Sequence, residues 1–265
     1  MAGSNRLTGA ISRLSHAPEW SALQAEANTI REPLLAHFIE RTVLQSTTFI
    51  EGLANLISEK LFSVNADEWR LEFLHALHAE PEMGDRSFRD LLAIRRNDPA
   101  TSSLLQPFLN FKGFHALVAY RFSHRLWMRN RVSLARHLQS QISERFGIDI
   151  HPAATIGEGV FLDHGTGVVI GETAVVGNDV TILHGVTLGG TGKASGDRHP
   201  KVGDGVFVGA SAQLLGNIKI GDHATIGASS VVLKDVPEAS TVAGIPARVI
   251  KRGETTAPRV AELMA

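Results

Sequence analysis

A six-residue period, which begins at Ile150 and continues to Val232, constrains the fold of this chain more than any other feature. Thirteen positions on the period hold only isoleucine, leucine or valine, and glycine directly follows eight of them. Small or β-branched residues stand four places after most of these aliphatic residues. The thirteen are Ile150, Ile156, Leu162, Ile170, Val176, Ile182, Leu188, Val202, Val208, Leu214, Ile220, Ile226 and Val232. This pattern predicts a parallel β-helix in which each hexad supplies one short strand and one corner.

The period is interrupted twice. Two extra residues lie between Leu162 and Ile170, and eight extra residues lie between Leu188 and Val202, within GGTGKASGDRHP. Insertions in a solenoid project from one face and often carry binding residues. The period alone does not give the hand of the coil.

The first half of the chain has a different pattern, because its apolar residues recur at helical spacing. Leu134, Leu138, Ile142 and Phe146 lie four apart, as they would on one face of a helix. Asp98-Pro99 is a predicted helix end, since proline disfavours the α conformation in the residue before it. We expect six to eight helices in this half.

The prediction for the whole chain is therefore an α+β architecture by halves. An all-α domain is expected over residues 1–147, a parallel β-helix over 148–250 and a tail over 251–265.

The formal net charge of −1 argues against a general nucleic-acid binder, which would be basic. No apolar run approaches the ~20 residues that span a bilayer, and no secretory signal is evident, so we expect a cytoplasmic protein without membrane contact. The chain has no cysteine, which excludes a cysteine acyl-enzyme and Cys-ligated zinc.

Several stretches resemble the serine acetyltransferases of bacteria and plants. They are RRNDPA (95–100), LNFKGFHALVAYR (109–121), DIHPAATIG (149–157), LDHGTGVVIGETAVVG (162–177), VTLGGTGK (186–193), GDRHPKVG (196–203) and AGIPARVI (243–250). The resemblance covers both halves, including the helical region that other hexapeptide acyltransferases lack or build differently. It implies a left-handed β-helix that forms a homotrimer, and a hexamer in which two trimers meet through their helical domains. The active sites would lie between neighbouring β-helices.

The same resemblance implies an activity. An acetyl group would move from acetyl-CoA, the co-substrate, to the hydroxyl of L-serine in the first step of cysteine biosynthesis. L-cysteine would be a feedback inhibitor, and no metal is expected. Attack on a thioester by a neutral hydroxyl requires a base, and histidine, with an ordinary pKa of about 6.5, is suited to this task.

The resemblance identifies His164, in LDHGTG, as this general base among the twelve histidines of the chain. It identifies Asp149, in DIHPAA, as the carboxylate that orients the base. Asp163 is adjacent to His164 in the sequence, but neighbouring residues on a strand point to opposite faces, which favours Asp149 as the partner.

Five further residues match positions that bind the amino acid in the family. Asp98 and Asp163 correspond to carboxylates that hold the serine ammonium group. Arg198 and His199, in GDRHP, correspond to the group that binds the serine carboxylate from the neighbouring subunit, a task for which the arginine fork is suited. Glu172 is a matched polar residue without an assigned role. Taken without the resemblance, Asp98 would be a helix-end residue before proline, and GDRHP a solvated loop.

A third set of residues matches contacts to CoA. Gly190, Thr191 and the backbone of Ala210 and Ala228 correspond to positions along the pantetheine arm. The candidates for phosphate contacts are Lys193, Lys234, Arg248 and Lys251. LGGTGK is not a phosphate-binding loop of the nucleotide-hydrolase type, because the spacing differs and no helical pattern follows.

Two positions depart from the pattern of the family. With three hexads in each coil, His184 stacks directly above His164, where many relatives carry a side chain that does not titrate. An inert role for His184 is favoured, and a perturbation of the pKa of His164 is the alternative.

The chain ends at Ala265, whereas many relatives end in an isoleucine that inserts into O-acetylserine sulfhydrylase. We therefore expect weak binding or none to that partner.

Three other functions compete with this interpretation. An acetyltransferase for a sugar or antibiotic hydroxyl would keep the base but would not need Asp98, Asp163 and Arg198. A zinc lyase of the γ-carbonic anhydrase type needs a pair of closely spaced histidine ligands that is absent here. A scaffold without activity would not need the full set of matched polar residues.

Overall fold

The structure is a computed structural model that describes residues 16–193 and 195–253. The C-terminal residue Ala265, on which the expectation about the sulfhydrylase partner depends, lies outside the described residues. None of the helices within the described ranges is both long enough and apolar enough to cross a membrane.

The first half of the described chain is helical, as the apolar spacing predicts. Eight α-helices and one π-helical segment are present within the described ranges. The α-helices are α1 (Ala17–Ala27), α2 (Pro33–Ile39), α3 (Phe49–Leu61), α4 (Ala66–Ala79), α5 (Pro81–Asn97), α6 (Leu105–Asn110), α7 (Lys112–Met128) and α8 (Val132–Phe146). The π-helical segment, Glu40–Leu44, continues directly from α2.

Local signals in the sequence determine where several of these helices begin and end. The Thr48 hydroxyl accepts a hydrogen bond from the backbone N–H of Glu51 and caps α3. α5 ends at Asn97, directly before Asp98-Pro99, so the predicted helix end is confirmed. α8 ends at Phe146 and is capped by Gly147, whose φ of +67° is a left-handed conformation that glycine adopts without strain.

The second half consists of short strands at the predicted period. They are β1 (Asp149–Ile150), β2 (Thr155–Ile156), β3 (Phe161–Leu162), β4 (Val169–Ile170), β5 (Val175–Val176), β6 (Thr181–Ile182), β7 (Thr187–Gly189), β8 (Lys201–Val202), β9 (Phe207–Val208), β10 (Gln213–Leu215), β11 (Lys219–Ile220), β12 (Thr225–Ile226), β13 (Val231–Val232), β14 (Ser240–Gly244) and β15 (Ala247–Arg252). The two insertions lie between β3 and β4 and between β7 and β8.

The strands form three parallel sheets with three strands in each full coil, which confirms the predicted β-helix. Sheet A has the order β1-β4-β7-β10-β13, sheet B has β2-β5-β8-β11, and sheet C has β3-β6-β9-β12-β14. β15 pairs antiparallel with β14 and ends the coil. All thirteen aliphatic residues of the period are buried. Their stacking fills the interior of the coil and places equivalent corner residues one above another.

Two corners of the coil border sheet A, and both matter for the site. The corner before sheet A, here called the entry edge, stacks His164, His184, Ala210 and Ala228, as the register Leu162–Ile182–Val208–Ile226 requires. The corner after sheet A, here called the exit edge, stacks Glu172, Gly190, Gly216 and Lys234.

A buried ion pair attaches the helical half to the first coil. Arg121, on α7, donates from Nη2 to Asp90 Oδ2 on α5 at 2.5 Å, and both side chains are at most 4% exposed. Asp90 Oδ1 accepts the backbone N–H of Val160 at 2.9 Å, and Arg121 Nη2 donates to the Gly157 carbonyl at 2.8 Å. The pair thus joins two helices and the β-helix in one hydrogen-bonded group.

We predict that Asp90→Asn lowers the free energy of unfolding by about 3–5 kcal/mol, because the Arg121 guanidinium would stay buried without its counter-charge. The matched control is Arg96→Gln, which removes the Arg96–Asp179 pair between the same two halves. Both of its side chains are more than half exposed, and we expect a change of at most about 1 kcal/mol. Denaturant unfolding at one fixed protein concentration measures both. Equal, small effects would contradict the role given to the buried pair.

Candidate active site

His164 lies in the turn that follows β3, not on the strand. Its φ is +54°, and its side chain is 78% exposed. Asp163 is in the same turn, and its Oδ1 lies 3.9 Å from His164 Nε2, which is too long for a hydrogen bond. The expectation that the two side chains point to opposite faces does not apply, because the alternation of a strand ends at Leu162.

Asp98 brings a second carboxylate to this turn from the end of α5. Its own oxygens accept hydrogen bonds from the Ala100 N–H and the Thr101 hydroxyl, each at 2.8 Å. Burial raises the pKa of Asp163, the negative charge of Asp98 raises it further, and His164 opposes both effects. The structure therefore places Asp98, Asp163 and His164 together, as predicted, although they come from both halves of the chain. Two neighbouring carboxylates stabilise a cation such as an ammonium group.

The second group of predicted residues lies at the exit edge. Arg198 Nη2 donates to Glu172 Oε2 at 2.7 Å, and this hydrogen bond holds the pKa of Glu172 below its ordinary value. A Cβ on Gly190 would lie 3.4 Å from Arg198 Cγ, so the arginine side chain packs beside that glycine. Arg198 and His199 are thus close to each other and to Glu172, whose place in this group was not predicted. None of the three has a hydrogen bond or ion pair to His164 in the described chain.

Thr173, which was not among the predicted site residues, holds this second group in place. Its hydroxyl oxygen accepts the backbone N–H groups of Arg198 at 3.0 Å and His199 at 3.2 Å, and its carbonyl accepts Lys201 Nζ at 2.7 Å. The Thr173 N–H donates to His199 Nδ1 at 3.2 Å, and the hydroxyl lies 2.9 Å from the same nitrogen. Because Nδ1 accepts a backbone N–H, the neutral ring carries its proton on Nε2.

His199 is only 6% exposed, and its ring lies where a side chain on Gly171 would otherwise be. A Cβ at Gly171 would come within 2.1 Å of the imidazole. Burial lowers the pKa of His199, and the positive charges of Arg198 and Lys201 lower it further. In the sequence, the run GET after Ile170 is the one feature that accompanies this arrangement. That run alone does not indicate that its threonine, Thr173, is the hydrogen-bond partner of a histidine 26 residues later.

Asp149 is close to His151 and α8. Its Oδ1 accepts a hydrogen bond from Gln139 Nε2 at 2.7 Å. Asp149, His151 and Arg136 line a cavity of 460 Å³ between α8 and the first coil. No hydrogen bond or ion pair joins Asp149 with His164 among residues 16–193 and 195–253. The predicted pair of base and orienting carboxylate is therefore not formed within one chain.

The predicted CoA contacts at Ala210 and Ala228 lie on the entry edge, in the same stack as His164. Their backbone N–H groups donate no hydrogen bond within the described chain, although the Ala210 carbonyl accepts the Ser229 N–H at 2.8 Å. His184 lies between His164 and Ala210, with its ring centroid 6.2 Å from that of His164. The predicted stacking of the two histidines is confirmed. A row of unpartnered N–H groups suits a ligand with successive amide carbonyls, such as a pantetheine arm.

The predicted phosphate contacts are divided between two places. Lys234 and Arg248 line a cavity of 340 Å³ at the last coil, and Lys251 is on β15 nearby. Lys193 is exposed on the long insertion. Thr191 is on the same insertion and packs beside Gly216 of the exit edge: a Cβ added to that glycine would lie 3.3 Å from the Thr191 methyl group. No cluster of three or more potential metal ligands occurs in the parts of the chain that the structure describes.

One chain thus carries two half-sites on opposite edges of sheet A. The entry half-site consists of Asp98, Asp163 and His164, with His184, Ala210 and Ala228 stacked above. The exit half-site consists of Glu172, Thr173, Arg198 and His199, beside the cavity that Asp149 lines.

Comparison with known proteins agrees with this arrangement. Residues 20–119 match the family described as the N-terminal part of serine acetyltransferase, and residues 199–234 match the six repeats of the bacterial transferase hexapeptide family. The serine acetyltransferase of Haemophilus influenzae is 48% identical over 243 residues, which cover 90% of this chain and 91% of that protein.

Solved structures show the same similarity in three dimensions. A serine acetyltransferase from Brucella abortus in complex with coenzyme A superposes with a TM-score of 0.87 at 48% identity, covering 91% of this chain and 97% of that one. A serine acetyltransferase in complex with cysteine superposes with a TM-score of 0.86 at 48% identity, covering 88% of this chain and 99% of that one.

A coil of hexads with a histidine and free N–H groups along one edge defines an acyltransferase of the hexapeptide-repeat class. The coil is the left-handed β-helix that the sequence resemblance implies. Identity and coverage over both halves narrow the class further: the chain belongs to the serine acetyltransferase family.

We predict that Thr173→Val loosens the segment around Arg198 and His199, because the variant loses the hydroxyl that accepts both backbone N–H groups. Tryptic cleavage after Arg198 should become about tenfold faster, the effect of losing about 1.4 kcal/mol of local hydrogen bonding. Thr173→Ser keeps the hydroxyl and should be cleaved at nearly the rate of the unsubstituted protein. If the valine and serine variants were cleaved equally fast, Thr173 would not hold the segment.

Proposed function

We propose that this protein transfers the acetyl group of acetyl-CoA to the hydroxyl of L-serine, with His164 as the general base. The products are O-acetyl-L-serine and CoA, and the reaction is the first step of cysteine biosynthesis. The observation that carries the proposal is the entry half-site. There an exposed histidine lies beside a pair of carboxylates, at one end of a stack of unpartnered backbone N–H groups. Membership of the serine acetyltransferase family supports the same reaction.

In the proposed mechanism His164 Nε2 takes the proton of the serine hydroxyl while the serine oxygen attacks the thioester carbonyl carbon. The new C–O bond forms, the C–S bond breaks with its electron pair on sulfur, and the proton held by His164 passes to CoA. Transfer is direct, and no cysteine is available for an acyl-enzyme intermediate.

The serine ammonium group binds between Asp98 and Asp163 in this proposal. Burial of Asp163 and the negative charge of the nearby Asp98 both disfavour the charged form of the Asp163 carboxylate, so a bound cation relieves both effects. This requirement separates serine from a sugar or antibiotic hydroxyl, which carries no ammonium group next to the acceptor hydroxyl and would leave the acidic pair without a partner.

The serine carboxylate binds to Arg198 and His199 of a neighbouring copy. Three facts support a shared site: these residues lie on the exit edge, they are anchored there by Glu172 and Thr173, and they form no contact with His164 in their own chain. Asp149, on β1 of sheet A, lines a cavity with His151, and His151 is close enough to Glu172 and Arg198 of the exit half-site for their charges to act on it. We propose that Asp149 orients His164 of the neighbouring copy.

Acetyl-CoA lies along the entry edge, where the N–H groups of Ala210 and Ala228 bind the pantetheine arm. Arg248 and Lys251 at the last coil bind its phosphates, and Lys234 contributes from the exit edge of the adjoining copy. Gly190, Thr191 and Lys193 contribute from the insertion of the adjoining copy.

A site completed by a second copy implies an oligomer, and we propose a homotrimer, two of which meet through their helical domains to form a hexamer. The helical domain would cover residues 1–147 and the β-helix domain 148–250, followed by a tail over 251–265.

L-cysteine carries the same ammonium and carboxylate groups as serine, which supports inhibition at the serine site. A solved serine acetyltransferase has cysteine bound. The cytoplasmic location stays a prediction.

We predict that His164→Ala lowers kcat for serine acetylation by at least about 100-fold, because the hydroxyl loses its base, while CoA binding is retained. Release of CoA thiol measures turnover with a panel of amino-acid and sugar acceptors, and calorimetry measures CoA affinity. His75→Ala, on the exposed face of α4, is the control. Turnover of His164→Ala near that of the control would remove His164 from the mechanism. Transfer by the unsubstituted protein to a sugar but not to serine would replace the proposed acceptor.

A further inference from the structure

His184 occupies the position on the entry edge between His164 and Ala210. Strand β6, which precedes it, pairs with β3 on one side and β9 on the other. His184 therefore lies one coil above His164 and one coil below Ala210. Its side chain is exposed and makes no hydrogen bond within the described chain, and its ring contacts that of His164 edge to face. This exposure leaves the ring with little packing to explain its presence.

The spacing of the coil indicates which part of acetyl-CoA would lie at this level. Adjacent coils are about 4.8 Å apart. The reacting carbonyl carbon has to lie within about 3–3.5 Å of the serine oxygen, near His164. The thioester sulfur is bonded to that carbon, and two methylene groups, a length comparable with one coil, separate the sulfur from the first amide of the pantetheine arm. If that amide binds at Ala210, the sulfur lies beside His184.

We propose that His184 donates an imidazole N–H hydrogen bond to the sulfur of acetyl-CoA and stabilises the charge that develops there as the C–S bond breaks. The inference rests on the proposed function. His184 transfers no proton: the serine hydroxyl proton moves to His164 and then to the sulfur, so the reaction balances without His184. The interaction strengthens as charge moves onto sulfur, and such interactions lower a barrier.

Three charged or titratable groups lie near His184. Asp163 and His164 are in the turn one coil below, and Asp98 reaches the same turn from α5. The Asp163 carboxylate lies 3.9 Å from His164, and the His164 and His184 rings both favour the charged form of that carboxylate. None of these groups forms a hydrogen bond with the His184 ring within the described chain, so its N–H can be donated to a ligand.

The test compares two substitutions at one position. His184→Leu removes the donor and should lower kcat about tenfold, the effect of losing one hydrogen bond made in the transition state. His184→Gln keeps an N–H donor of similar reach and should stay within about threefold of the unsubstituted enzyme. His75→Leu is the control for an exposed histidine elsewhere. Leucine and glutamine variants with equal turnover, whether high or low, would overturn the proposal.

A second measurement reads the sulfur directly and does not depend on turnover. The ultraviolet absorbance of the CoA thiolate, followed against pH with the protein saturated, gives the pKa of the bound thiol. A donor beside sulfur stabilises the thiolate, so this pKa should be lower with His184 or glutamine than with leucine. The same pKa in all three proteins would overturn the proposal. If the unsubstituted protein bound CoA but acetylated no serine, the proposed function would fail while the thiol measurement still decided the role of His184.

Discussion

The packing of one aliphatic side chain from every hexad into the interior of the coil determines most of the rest of this structure. The thirteen buried aliphatic residues set the strand register, and the register stacks corner residues at the repeat of the coil. A functional group at a corner is therefore held at a fixed height above the one below it. This places His164, His184, Ala210 and Ala228 in one line, along which an extended substrate can bind.

The helical half completes the site, since one of its carboxylates belongs to the entry half-site. The buried Asp90–Arg121 pair attaches α5 and α7 to the first coil. α5 ends two turns after Asp90, and Asp98 follows directly, close enough to act on the charge of Asp163. A shift of α5 would move Asp98 away from Asp163, so the stability of this contact between the halves and the binding of an ammonium group are linked.

Much of the fold and part of the site could be predicted from the sequence. With three hexads in each coil, the period predicts the stacking of His184 on His164 by counting residues, and the structure confirms it. The turn at His164 was not predictable in this way: β3 ends at Leu162 after two residues, so Asp163 and His164 lie beyond the strand and do not alternate between its faces. Thr173 was missed because its partners are far away in the sequence and belong to an irregular insertion.

The division of the site between the two edges of sheet A is the central claim, and mixed oligomers test it most directly. His164→Ala disables only the entry half-site, and Arg198→Ala disables only the exit half-site. If each active site combines the entry half-site of one copy with the exit half-site of its neighbour, co-expression of the two inactive variants in equal amounts restores about a quarter of the sites. We predict serine acetylation at about a quarter of the unsubstituted activity in the mixture and almost none in either variant alone. A mixture as inactive as its components would show that both half-sites act within one chain and would contradict the account.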